Sequence, residues 1–175
     1  REGVDFRGAT FLSDQTVRIN ATDFSDVIFA DDTTFESSSL GQVAFNNAEF
    51  QSQAIFEDAS FTGEVDFSNT TFEAVADFTE GRFYDDTSFC DAVFHHTISL
   101  RGAEFHGGDN VEDDDVTFAD ASFEEQVTFD RVEFAYANFR SVQVIGSASF
   151  EMSTFLDRAV FVEAKFGEEA IFSEA

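Results

Sequence analysis

The chain has 175 residues, with 36 acidic side chains against 9 basic ones and a net charge of −27. That surplus disfavours direct binding to nucleic acid by simple repulsion, and no apolar run approaches the length of a membrane-spanning helix. A single cysteine excludes an intramolecular disulfide, while 26 phenylalanines with no proline and no tryptophan point to one repetitive apolar core.

The first predicted elements are short extended stretches ending at Phe6 and Phe11. A longer interval then separates Phe11 from Phe24, and from Phe45 the core positions run Phe50, Phe56, Phe61, Phe67, Phe72, Phe78, Phe83, Phe89 and Phe94, five and six apart in alternation. In an α-helix, side chains five apart lie about 140° apart, so neighbouring phenylalanines face opposite ways. One long strand fails too, because an odd step of five flips the next ring outward. What survives is a short stretch in which positions i−2 and i both face inward, followed by a turn that re-aims the chain. Small or β-branched residues fill i−2, as in Ala48, Ala54, Ala59, Val65, Thr70, Ala76, Gly81, Thr87 and Ala92. Turn formers lie two residues after core positions: Gly8, Asp26, Asn47, Asp58, Gly63, Asn69, Asp85 and Asp91. Successive sides wound about an axis stack as parallel strands, the signature of a solenoid.

Further along, Cys90, His95 and His96 fall close together, with His106 beyond Phe105. All follow core positions and are expected to point outward, and their spacing matches no zinc site. Solvated surface side chains are the expected reading, with no catalytic residue, metal or cofactor. Tyr84 and Tyr136 are likewise placed outward. A second interval, equal in length to the first, separates Phe105 from Phe118. It contains the densest acidic run, Asp109, Asn110, Val111, Glu112, Asp113, Asp114 and Asp115, which lacks the alternating ligands and central glycine of a calcium loop. Loops that interrupt a repeat scaffold are the better candidates for partner contact, so 109–115, with 13–20 beside it, is the predicted interaction loop. Core register repeats across the interval: Phe45 maps onto Phe139, Phe50 onto Val144, Phe56 onto Phe150 and Phe78 onto Phe172. With each interval counted as one side, the stretch from Phe24 to Phe118 makes sixteen sides, or four turns of a four-sided helix, and both loops leave the same face.

These residues resemble the pentapeptide-repeat family in Ala9-Thr10-Phe11, Ala48-Glu49-Phe50, Ala59-Ser60-Phe61, Ala103-Glu104-Phe105, Ala121-Ser122-Phe123 and Ala164-Lys165-Phe166. The resemblance spans essentially the whole chain. It implies an all-β, right-handed, four-sided parallel β-helix, here of about seven coils and about 35 Å long at the usual strand spacing. A three-sided left-handed hexapeptide helix is the rival, disfavoured by the five-residue sides. Departures from the family pattern are the sixth residue on alternate sides, expected to bulge some corners, and phenylalanine in place of leucine.

One domain over 1–175 is expected, cut from a longer chain, with open ends suited to pairing with a second copy. No acidic residue occupies a core position, and the acids are spread over every face. The expected function is a noncatalytic scaffold or protein-interaction module of a halophile, cytoplasmic or the soluble part of an anchored protein. The resemblance adds an alternative: a DNA mimic that regulates a topoisomerase.

Overall fold

The computed structural model describes residues 3–11, 22–107 and 115–175. Every described strand pairing is parallel, and most strands are only two residues long. Their brevity follows from the repeat. A side of five or six residues extends through i−2, i−1 and i, and the remainder must turn.

The strands stack into four faces. Face 1 is an eight-stranded ladder from Val4–Asp5 to Ala170–Ile171, and carries Phe35, Phe56 and Phe78. Face 4 is a seven-stranded ladder from Ile28–Phe29 to Lys165–Phe166, and carries Phe50, Phe72 and Phe94. Face 2, with Leu40, Phe61 and Phe83, and face 3, with Phe45, Phe67 and Phe89, form ladders of their own that merge into a 12-stranded sheet. The merger occurs because the long strands Glu133–Asn138 and Thr154–Val160 continue across the corner the two faces share, with a register shift between Phe134 and Tyr136. The strands thus wind through seven successive coils, in agreement with the four-sided expectation and against the three-sided rival.

Parallel stacking at about 4.8 Å forces equivalent rings into columns. Phe45 and Phe67 lie 4.7 Å apart and 2° from parallel, and Phe50 and Phe72 lie 4.9 Å apart at 1°. Rings from faces 1 and 3 meet edge to face across the axis, as do Phe56 and Phe67 at 5.5 Å and 84°. Both arrangements suit the aromatic quadrupole. From Phe35 to Phe150 these rings are buried in one continuous cluster, each worth roughly 1.5–3 kcal/mol on burial. Small side chains at i−2, such as Ala48, Ala59 and Ala92, fill the space beside them. No described aspartate or glutamate is buried.

Corners come in two kinds, and in the regular coils they follow the alternation of five- and six-residue steps. After each core residue of faces 1 and 3, the residue at i+2 has positive φ, as at Asp26, Asn47, Asp58, Asn69, Asp91 and Gly8. The i+3 amide then donates to the core carbonyl, for example Ala48 to Phe45 at 2.9 Å, closing a turn of type II character. Gly63 and Asp85, grouped with those turn formers on sequence, follow face 2 instead and do not have positive φ. The sixth residue falls at the corners leaving faces 2 and 4, where the chain bends without a left-handed residue except at Gly107, which opens the second interval with φ of 71°. Gly63 is needed there for clearance, since a Cβ would lie 2.8 Å from the Gln42 amide nitrogen.

Candidate functional site

Both long intervals leave face 2 and return on face 3. Phe11 lies in the face 2 ladder with Leu40, and Thr22–Asp23 lies in the face 3 ladder with Val43–Ala44. Phe105 stacks on Phe83 in face 2, and Val116–Thr117 resumes face 3 against Thr87–Ser88. The expectation of one shared exit is met at both flanks. Of the predicted interaction loop, Asp109, Asn110, Glu112, Asp113 and Asp114 lie outside the described residues, as does 13–20.

Asp115 is described, and it anchors the chain's return. Its carbonyl accepts from the Thr87 amide at 3.0 Å, while its carboxylate accepts from the Tyr136 amide at 2.5 Å. The side chain therefore ties one coil to the next, and its place in the sequence run alone gave no sign of that task.

The Cys/His group does not assemble. Cys90 follows face 3, and its Sγ lies 3.5 Å from Thr117 Oγ1. His95 follows face 4 and sits between carboxylates of the coils on either side, Nδ1 3.0 Å from Glu124 and Nε2 3.8 Å from Glu73. The hydrogen bond to Glu124 raises the pKa of His95, against a smaller opposing effect of burial, with both carboxylates adding attraction. His96 pairs with Glu125 at 3.2 Å and His106 with Glu104 at 3.2 Å. Each imidazole thus has its own carboxylate, and among the described residues no three His, Cys, Asp or Glu side chains are grouped to hold a metal.

The corner between faces 2 and 3 gathers features that no local motif announces. The Tyr84 ring stacks on His106 at 5.1 Å and 14°, and Arg158 lies over the Tyr136 ring at 5.4 Å. In both pairs the partners stand one full coil apart along the chain, so the coil length itself was the signal that could have found them. On face 3 an open groove of about 340 Å³ runs along the strands, lined in part by Val43, Glu64, Val65, Asp66 and Asp86. Shallow and open to solvent, it converges on no reacting centre.

A family model described as pentapeptide repeats, nine copies, matches residues 56–104. Residues 56–104 carry pentapeptide repeats. The matched segment covers the most regular coils, and the same register of stacked parallel strands continues to Phe29 on one side and Phe166 on the other. Among solved structures, the chain is similar to HetL, a pentapeptide repeat protein involved in heterocyst differentiation regulation from the cyanobacterium Nostoc sp. strain PCC 7120. The match has 9% identity over 98% of this chain and 88% of that one, with a TM-score of 0.27. No curated protein matches the chain. No helix of the described residues is long and apolar enough to cross a membrane.

Proposed function

We propose that this pentapeptide-repeat chain is a noncatalytic scaffold or protein-interaction module whose acidic surface is adapted to concentrated salt. The observation that carries the reading is the division of labour within each repeat. Core positions are spent on packing, while outward positions are held at one-coil intervals by a continuous backbone ladder. Such a rod presents side chains at fixed spacing without needing to move.

Salt adaptation is supported by the 36 acidic residues and the single lysine, Lys165. Carboxylates stand outward on all four faces, as at Asp77, Glu104, Asp66 and Glu49. That spread favours general hydration over a phosphate-like stripe, and so favours the scaffold over a DNA mimic acting on a topoisomerase. Adding the protein to a topoisomerase supercoiling assay separates the two: unchanged supercoiling supports the scaffold, and dose-dependent inhibition supports mimicry.

The scaffold reading itself is tested by affinity capture from the host with four variants, each altering the outward residues of one face. Loss of a discrete partner with one face supports it. Recovery that is indifferent to the face altered, or no partner at all, overturns it.

A further inference from the structure

We propose that the corner between faces 2 and 3, from Tyr84 to Leu156, docks a basic amphipathic helix of a partner protein lying parallel to the rod axis. The proposal rests on the scaffold reading and names the class of partner.

Registers in face 2 align Phe83, Phe105, Phe134 and Phe155. The residues that follow them, Tyr84, His106, Ala135 and Leu156, therefore begin the same outward turn on four successive coils, the last two beside the register shift between Phe134 and Tyr136. Tyr84 is 47% exposed and Leu156 61%. Tyr84 and His106 stack ring on ring, which prepays part of the ordering cost of an aromatic contact surface. In the two preceding coils the same position holds Gly41 and Thr62, so the stripe has a definite start. Other exposed apolar residues stand singly: Ile28 beside Glu49, and Met152 between the coils that hold Arg131 and Glu174. Core packing accounts for none of these four side chains, because all point away from it.

Charge selects the partner. Carboxylates flank the stripe on both sides, Glu133 on face 2 and Asp157 toward face 3, while Glu104 is paired with His106 and Asp115 with the Tyr136 amide. Arg82, on face 2 beside Tyr84, is engaged with Asp58 toward face 1 at 3.1 Å, and Arg158 lies over Tyr136. The second contact shows a guanidinium resting on an aromatic face at this corner, the arrangement open to a partner's arginine. Spacing selects the helix. An α-helix advances about 5.4 Å per turn, close to the roughly 4.8 Å between coils. One apolar side chain per turn then meets one rung of the stripe, and basic residues on either side meet the carboxylates.

The test uses two synthetic peptides of about five helical turns and identical leucine, arginine and lysine content, one with its leucines on a single helical face and one scrambled. Binding to the full chain is read by fluorescence anisotropy in about 0.5 M NaCl, where loose ionic contact is screened to about 4 Å. The expected result is at least a tenfold preference for the amphipathic peptide. That preference is lost in the double variant Tyr84→Ser and Leu156→Ser, whose net charge is unchanged, and kept in Val75→Ser. The single variants are read separately if circular dichroism shows the double variant misfolded. Equal binding of both peptides by the parent, or a preference that survives the double variant, overturns the proposal. Either result leaves the scaffold reading to its own face-by-face capture experiment.

Discussion

Phe45 stacks on Phe67 at 4.7 Å and 2°, yet meets Phe56 at 5.7 Å and 85°. One ring thus binds its own column face to face and the opposite column edge to face. Removing a ring opens a cavity bordered on several sides by rigid neighbours. Phe67→Ala is expected to cost about 3–5 kcal/mol, and Phe67→Leu clearly less, in urea unfolding followed by circular dichroism. A cost below about 1 kcal/mol for the alanine variant would mean the columns do not hold the fold.

Left-handed corners give a second expectation. Arg131 and Met152 hold φ of 58° without the local hydrogen bonding that favours Asn or Asp there. Glycine relieves that strain but loses more chain entropy on folding. Arg131→Gly is therefore expected to stabilise by up to about 1 kcal/mol. Asp85→Gly, at a corner without positive φ, is expected to destabilise, and the two midpoints measured in parallel decide the matter.

Buried hydroxyls on the inner wall behave oppositely according to their partners. Thr70 Oγ1 donates to the Phe45 carbonyl at 2.8 Å, so Thr70→Val is expected to cost about 1 kcal/mol. Ser38 Oγ is buried without a partner among the described residues, and its ladder neighbour is Ala59. Ser38→Ala is expected to be neutral or to stabilise by about 1 kcal/mol.

His95 makes the coil contacts between Glu73 and Glu124 depend on pH. Its folded pKa is raised, chiefly by the hydrogen bond to Glu124. The stabilising contribution of its charged form is therefore fully present below the ordinary value of about 6.5 and is lost as pH rises through the higher folded value. NMR titration of the three histidines should place His95 above its ordinary value, and Glu124→Gln should bring it down. A His95 titration unmoved by that change would remove the assignment.

Salt should stabilise the rod. Glu36 and Glu57 occupy equivalent outward sites in adjacent coils, where like charges about 5 Å apart repel by about 0.8 kcal/mol even at the dielectric of water. Raising salt from about 0.1 to about 1 M shortens the screening length from about 10 to about 3 Å. The melting temperature is expected to climb over that range, and a flat or falling curve counts against salt adaptation.

The fold was legible because its signal is core spacing, and packing fixes that spacing directly. Phe45 to Phe94 specify the stacked short sides, and the register between Phe24 and Phe118 specifies the shared exit of both intervals. The two kinds of corner are hidden in residue type, since Asp58 and Asp85 look alike, and show only in step length: Asp58 lies in the five-residue step from Phe56 to Phe61 and Asp85 in the six-residue step from Phe83 to Phe89. The candidate site was less legible still. Glu73, His95 and Glu124 stand on three successive coils, well separated along the chain, and Glu124 reaches His95 because the second interval adds length at one corner without breaking register. Asp115 read as one more acid in a run, although its carboxylate closes a coil contact.

The constancy of the four-sided coil bears on how such a chain can change. Duplicating the single coil 54–75 would lengthen the rod by one layer and leave every other side chain facing its original direction. Gaining or losing a pair of consecutive sides would instead turn everything downstream by half a revolution, moving Leu156 out of line with Tyr84 while still stacking like corners on like. Whole-coil events conserve the surface, and half-coil events reassign it in one step.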